Sequence, residues 1–107
     1  MNYDMKIKTG HTEPIDFYLK RPDGTVYDAS GMSSAQAKGR IKGKITSTFT
    51  NSLTVISDGT DGGVRMSPAA DDFAAKGTYE IEVKVNGADG VVFAPDPFIV
   101  FCYEAFS

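Results

Sequence analysis

His11 and Cys102 are the only histidine and the only cysteine in the chain, so any triad or thiol chemistry would have to run through them. His11 sits in a polar turn, Gly10-His11-Thr12-Glu13, far along the chain from Cys102. Cys102 lies in the apolar run Phe98-Ile99-Val100-Phe101-Cys102-Tyr103, where a thiol behaves as a small buried hydrophobe. One His and one Cys cannot furnish the roughly four ligands of a zinc site. Asp58, Asp61, Asp71 and Asp72 offer hard oxygens of the kind calcium takes. The segment holding the first two, Asp58-Gly59-Thr60-Asp61-Gly62, is also what tight turns require, and it lacks the acidic spacing of an EF-hand loop. Glu80 and Glu82 share a strand face with Lys84, which reads as a solvated sheet surface and not as a catalytic carboxylate pair. Gly87-Ala88-Asp89-Gly90 reads as a hairpin turn and not as a phosphate-binding loop. The expectation is a protein with no catalytic residue, no metal and no cofactor.

One surface feature departs from chance. Lys38, Arg40, Lys42 and Lys44 alternate with Ala37, Gly39, Ile41 and Gly43. As a strand, that puts four cations on one face, about 6–7 Å apart. Three readings compete: a charged edge that blocks aggregation, a dock for an acidic protein surface, or a nucleic-acid contact. Glu80 and Glu82 could be the complement, within the domain or in a neighbouring copy.

The elements that must carry these residues are strands. Met5 and Ile7 alternate with Lys6 and Lys8, and Ile15, Phe17 and Leu19 with Asp16, Tyr18 and Lys20. Arg21-Pro22-Asp23-Gly24 predicts a tight reversal into Thr25-Val26-Tyr27. A helix over 34–46 would have to absorb Gly39 and Gly43, so a strand is expected there, with a short helical turn near Met32 to Ala37 as the alternative. Its small inner face predicts a bulge or a close neighbour. Leu53 to Ile56 and Val64 to Met66 read as a hairpin, and 67–77 as a cross-over with one helical turn. Thr78 to Asn86 is the clearest strand, with Tyr79, Ile81, Val83 and Val85 inward. Val91 to Phe93 and Phe98 to Tyr103 complete the set, divided by Ala94-Pro95-Asp96-Pro97. The pattern, about seven to eight short strands with turns about every 8–12 residues, predicts an all-β Greek-key sandwich. Tyr79, opening its strand after the cross-over, is expected to bond back to the loop as a tyrosine corner.

At 107 residues the chain fits a single domain, 1–107, and its 41% apolar content is that of a globular fold. The net charge of −3 speaks against a general nucleic-acid binder. No stretch approaches the roughly 18 apolar residues of a membrane span. The start, Met1-Asn2-Tyr3-Asp4-Met5-Lys6, has no apolar core and reads as no signal peptide.

A family resemblance follows from several features in order. They are Thr9-Gly10-His11-Thr12-Glu13-Pro14 leading into Ile15-Asp16-Phe17-Tyr18-Leu19, then Asp23-Gly24 and Asp28-Ala29-Ser30-Gly31, and the basic strand through Arg40. Asp61-Gly62-Gly63-Val64, the cross-over Asp72 to Gly77, Gly77-Thr78-Tyr79-Glu80-Ile81-Glu82-Val83, Asp89-Gly90 and the last apolar strand follow. Together they resemble the small Ig-like β-sandwich domains of tailed-phage structural proteins, such as the N-terminal domains of upper baseplate and minor tail proteins. A baseplate adaptor continues into a helical linker and a receptor-binding or trimeric module; a chain ending at Ser107 is expected instead to be a freestanding component. The resemblance implies a virion protein of the tail, baseplate or neck, made in the host cytoplasm and acting by assembly with other virion proteins. It would be present as a homo-oligomer or in many copies, with no membrane and no nucleic acid as partner. A capsid decoration or cement protein is the near alternative, and a carbohydrate-binding module for host adhesion the alternative of another class. The expected contact residues are Lys38, Arg40, Lys42, Lys44 and Phe106, with the loops around Tyr27, Phe49 and Phe93.

Overall fold

A computed structural model gives the fold. It describes residues 3–44, 47–87, 90–93 and 97–104, with Val92 and Phe93 as backbone only. Among these residues eight strands form: β1 Met5–Lys8, β2 Ile15–Tyr18, β3 Ser34–Ile41, β4 Phe49–Val55, β5 Gly63–Met66, β6 Gly77–Gly87, β7 Gly90–Phe93 and β8 Phe98–Tyr103. Their order is β1-β8-β6-β3-β4-β5-β2, with β7 also on β6. The β1–β8 pair is parallel and the other strand pairs are antiparallel.

All-β character and the strand number agree with the sequence. The expected pair of separate sheets meets instead one mixed, curled sheet resembling half a barrel. The reason lies in β4. Its first half pairs with β3, Phe49 opposite Gly39 and Ser52 opposite Gln36. Its second half pairs with β5, Leu53 opposite Met66 and Val55 opposite Val64. One strand thus carries the ladder around the bend.

β3 can be approached closely because its inner face is Ala35, Ala37 and Gly39, all buried. The Phe49 ring lies where a side chain at position 39 would be. Phe49 in turn meets Phe73 edge-on, with ring centroids 5.1 Å apart, and Phe73 meets Tyr79 at 5.1 Å. Aromatic pairs in this geometry add to the burial of their area. Around them pack Ile15, Phe17, Met66, Ile81, Val83, Val85 and Val100. The Tyr79 hydroxyl donates to the Ala75 carbonyl at 2.6 Å, the tyrosine corner expected from the sequence.

Elsewhere the turns follow local chemistry. At Pro22-Asp23-Gly24 the Gly24 amide donates to the Arg21 carbonyl, and the reversal is held by a single bridge, Lys20 to Val26. The cross-over after β5 forms a turn closed by the Asp72 amide on the Ala69 carbonyl, in place of the expected helical turn. The Asp72 carboxylate accepts from the Ala69 amide and from Asn51 of β4, which pins the cross-over to the sheet. The segment after Met32 is strand from Ser34 onward. The break at 94–96 lies outside the described residues.

Candidate functional site

Strand parity turns one face of β3, β6, β8 and β1 outward, because their alternate residues fill the core. On β3 the outward side chains are Gln36, Lys38 and Arg40, and on β6 Thr78, Glu80, Glu82 and Lys84. Register sets Lys38 opposite Glu82 and Arg40 opposite Glu80. Arg40 Nε donates to Glu80 Oε1 at 3.2 Å. The acidic stripe is therefore the complement of the basic one within the same sheet. With the Arg40 side chain half exposed, this pair adds little to stability and mainly fixes register.

The basic row is shorter than its sequence suggests. β3 ends at Ile41, and Gly43 turns the chain away with φ at 91°. Lys42 still donates its amide to Thr78, while Lys44 closes the turn onto Ile41; both side chains are exposed. Lys38 and Arg40 are thus brought together, and Lys42 and Lys44 lie past the strand. Phe106 and the side chain of Phe93 lie outside the described residues. Tyr27 and Phe49, expected on contact loops, are core residues at 7% exposure each.

The next column is one that sequence reasoning missed. On β8, Val100 and Cys102 are buried, so Ile99, Phe101 and Tyr103 face out. Glu80 stands opposite Ile99 and Thr78 opposite Phe101. Tyr3 stacks on Phe101 with centroids 5.9 Å apart, and Phe101 on Tyr103 at 6.2 Å. On β1, Lys6 faces Phe101 and Lys8 faces Tyr103. Both ammonium groups lie over the Tyr103 ring, at 5.3 and 5.7 Å from its centroid, within cation–π range. Across the sheet the face runs basic, acidic, aromatic, basic. The alternation of Phe101 and Tyr103 was visible in the sequence, but a run of six apolar residues does not tell which half faces out.

The residues weighed for chemistry are dispersed. Cys102 is 1% exposed, its Sγ 3.9 Å from the Phe73 carbonyl, and burial pushes its thiol up. His11 lies in the turn after β1, its Nε2 enclosed and without a hydrogen-bond partner among the described residues. Asp58 accepts from the amide and hydroxyl of Thr60, and Asp61 from the amide of Gly63. These are Asx turns, the bland reading of that loop. No cluster of three or more His, Cys, Asp or Glu suited to a metal occurs among the described residues.

Several carboxylates are held below their ordinary pKa. For Asp16 the cause is the hydrogen-bonded Arg65 guanidinium, at 2.7 Å across the β2–β5 pair. For Asp23, Asp28 and Asp58 it is hydrogen bonding from Thr25, Ser30 and Thr60 respectively. The unfolded chain therefore takes up protons at a higher pH than the folded one. Stability from these groups is complete above an ordinary carboxylate pKa of about 3.8 and declines as pH falls through their folded values. Urea midpoints should fall between about pH 5 and pH 2.5. Asp16→Asn should lower the midpoint at the upper pH and flatten the decline. An equally steep decline in the variant would remove Asp16 as a cause.

No protein-family model matches the chain, and no curated protein matches it.

Proposed function

We propose that this chain is an Ig-like Greek-key domain serving as a structural component of a tailed-phage virion, at the tail, baseplate or neck. In this reading it acts by docking onto other virion proteins and copies of itself. The fold reading is supported by the strand order: β1 parallel beside β8, β6 between β8 and β3, and β5 between β4 and β2. The tyrosine corner at Tyr79 is a further mark of such folds. The family resemblance supplies the virion setting.

The observation that carries the functional reading is the striped outer face. A row of three stacked rings, Tyr3, Phe101 and Tyr103, is bordered by charged columns of both signs. Aromatic residues at the centre with charges around them are what protein interfaces use, rings for affinity and charge for register. The same rings bear on the second reading, a glycan-binding module, because sugars also stack on exposed aromatics.

Light scattering of the purified protein across salt concentrations, with analysis of purified particles for the chain, tests the proposal. A salt-sensitive oligomer or incorporation into particles, weakened by Phe101→Ser with Tyr103→Ser, is the expected result. A monomer absent from particles and retained on a glycan array through the same rings would overturn it.

A further inference from the structure

β2 ends the strand order, and its hydrogen bonds tell which backbone groups face the sheet. The Leu19 amide donates to the Gly62 carbonyl at 2.9 Å, one step beyond Tyr18 opposite Gly63. Bonded and non-bonded pairs alternate along an antiparallel ladder, so Phe17 and Ile15 are the residues that bond to Val64 and Met66 of β5. β5 agrees from its other side. The Gly63 carbonyl accepts from the Ile56 amide at 3.0 Å, on the β4 side, which leaves Val64 and Met66 turned toward β2. The amides and carbonyls of Asp16 and Tyr18 therefore point away from β5. Among the described residues none of them takes a hydrogen bond. The side chains along this edge, Glu13, Pro14, Tyr18, Lys20 and Arg21, are exposed, Tyr18 to 57%.

We propose that two copies of this chain pair through β2, antiparallel across a two-fold axis at Phe17, so that the sheet runs on from one copy into the other. In this register Asp16 stands opposite Tyr18 of the second copy, and Tyr18 opposite its Asp16. These are the outward-facing residues of both strands, so each pair exchanges both amide–carbonyl bonds. Ile15 meets Leu19, apolar against apolar. At both ends Glu13 comes opposite Arg21, and neither is in an ion pair among the described residues. The Asp16 carboxylate is held by its own Arg65 at 2.7 Å, so the two aspartates do not repel across the axis. Pro14 has no amide to donate and stands opposite Lys20, where the ladder ends. The charges select this register. An axis at Asp16 would set the two aspartates face to face, and one at Tyr18 would set Glu13 opposite Asp23 and Ile15 opposite Arg21. The inference rests on the assembly reading above and names the partner, a second copy, with its register.

Sedimentation equilibrium of the full chain should show monomer and dimer exchanging with concentration. Amide hydrogen exchange reads the register. The Asp16 and Tyr18 amides should slow as concentration rises, while those of Ile15 and Phe17, bonded to β5 in the monomer, should not change. Tyr18→Pro removes an amide that bonds nothing in the monomer, so it should abolish the dimer and leave the urea midpoint nearly unchanged. Glu13→Arg and Arg21→Glu keep every backbone group, and each alone should weaken the dimer about tenfold by setting like charges at both ends. An equimolar mixture of these two variants should recover the original affinity, because each then meets the opposite charge at both ends. A chain monomeric at every concentration, or a dimer that survives Tyr18→Pro and both charge reversals, would overturn the proposal. Such a surviving oligomer, if lost with Phe101→Ser and Tyr103→Ser, would sink this edge and spare the assembly reading. A monomer that is also absent from particles would sink both.

Discussion

Phe73→Ala is expected to cost about 3–5 kcal/mol, the range for emptying an aromatic site in a packed core. Phe73 is fully buried and sits edge-on to both Phe49 and Tyr79. Its own carbonyl accepts from the Gly10 amide at 3.0 Å and faces the Cys102 thiol. The residue therefore joins the cross-over, the turn after β1 and β8 at one point. A domain of this size has about 5–15 kcal/mol of stability in total, so the variant stands close to unfolding at 37 °C. Urea denaturation measures the loss, and Phe73→Leu should recover part of it. Cys102 offers a second readout. In the native protein burial keeps it protonated and enclosed, so Ellman's reagent should react slowly; in Phe73→Ala the reaction should accelerate. A midpoint shift no larger than that of a surface substitution would refute the keystone role.

What the sequence disclosed, and what it hid, divides along local and non-local lines. β6 was legible because Tyr79, Ile81, Val83 and Val85 alternate with polar partners over its whole length. The tyrosine corner was legible because the turn residues before it, Lys76-Gly77, fix where the strand starts. The first half of β4 was not. Phe49-Thr50-Asn51-Ser52 has one apolar residue, and it is strand because β3 lies beside it. Tyr27 and Phe49 read as loop residues since polar turn formers surround them, yet both are drawn into the core by the curl of the sheet. The basic stripe was read two residues too far, because alternation continues through Lys42-Gly43-Lys44 after the ladder has stopped.

The same division explains the candidate site. Pairing in the sheet places Glu80 and Glu82 opposite Arg40 and Lys38, and the Arg40 guanidinium is ion-paired to Glu80. Beside that pair of columns the same face carries the aromatic column of β8 and the lysines of β1, which lie over the Tyr103 ring. That combination depends on a parallel pairing between the first and last strands, for which no short-range pattern exists.

Gly62→Ala should be nearly as damaging as Phe73→Ala, for a backbone reason. Gly62 adopts φ of 80°, where an L side chain costs about 1–2 kcal/mol. A Cβ there would also stand 2.6 Å from the Leu19 carbonyl oxygen and 2.8 Å from that of Tyr27. Neither can yield easily. Leu19 donates its amide to the Gly62 carbonyl at 2.9 Å and accepts from Tyr27, so the loop after β4 is clasped to the segment following β2. Crowding against fixed backbone adds about 1–3 kcal/mol, giving about 2–5 kcal/mol in all. Gly24→Ala is the control. It has φ of 90° but open space around the missing Cβ, so it should show the conformational part alone. Urea midpoints for the two variants therefore separate the terms, and the difference between them measures the clasp. If both alanines cost the same, the close approach contributes nothing, and the loop stands on its Asx turns alone.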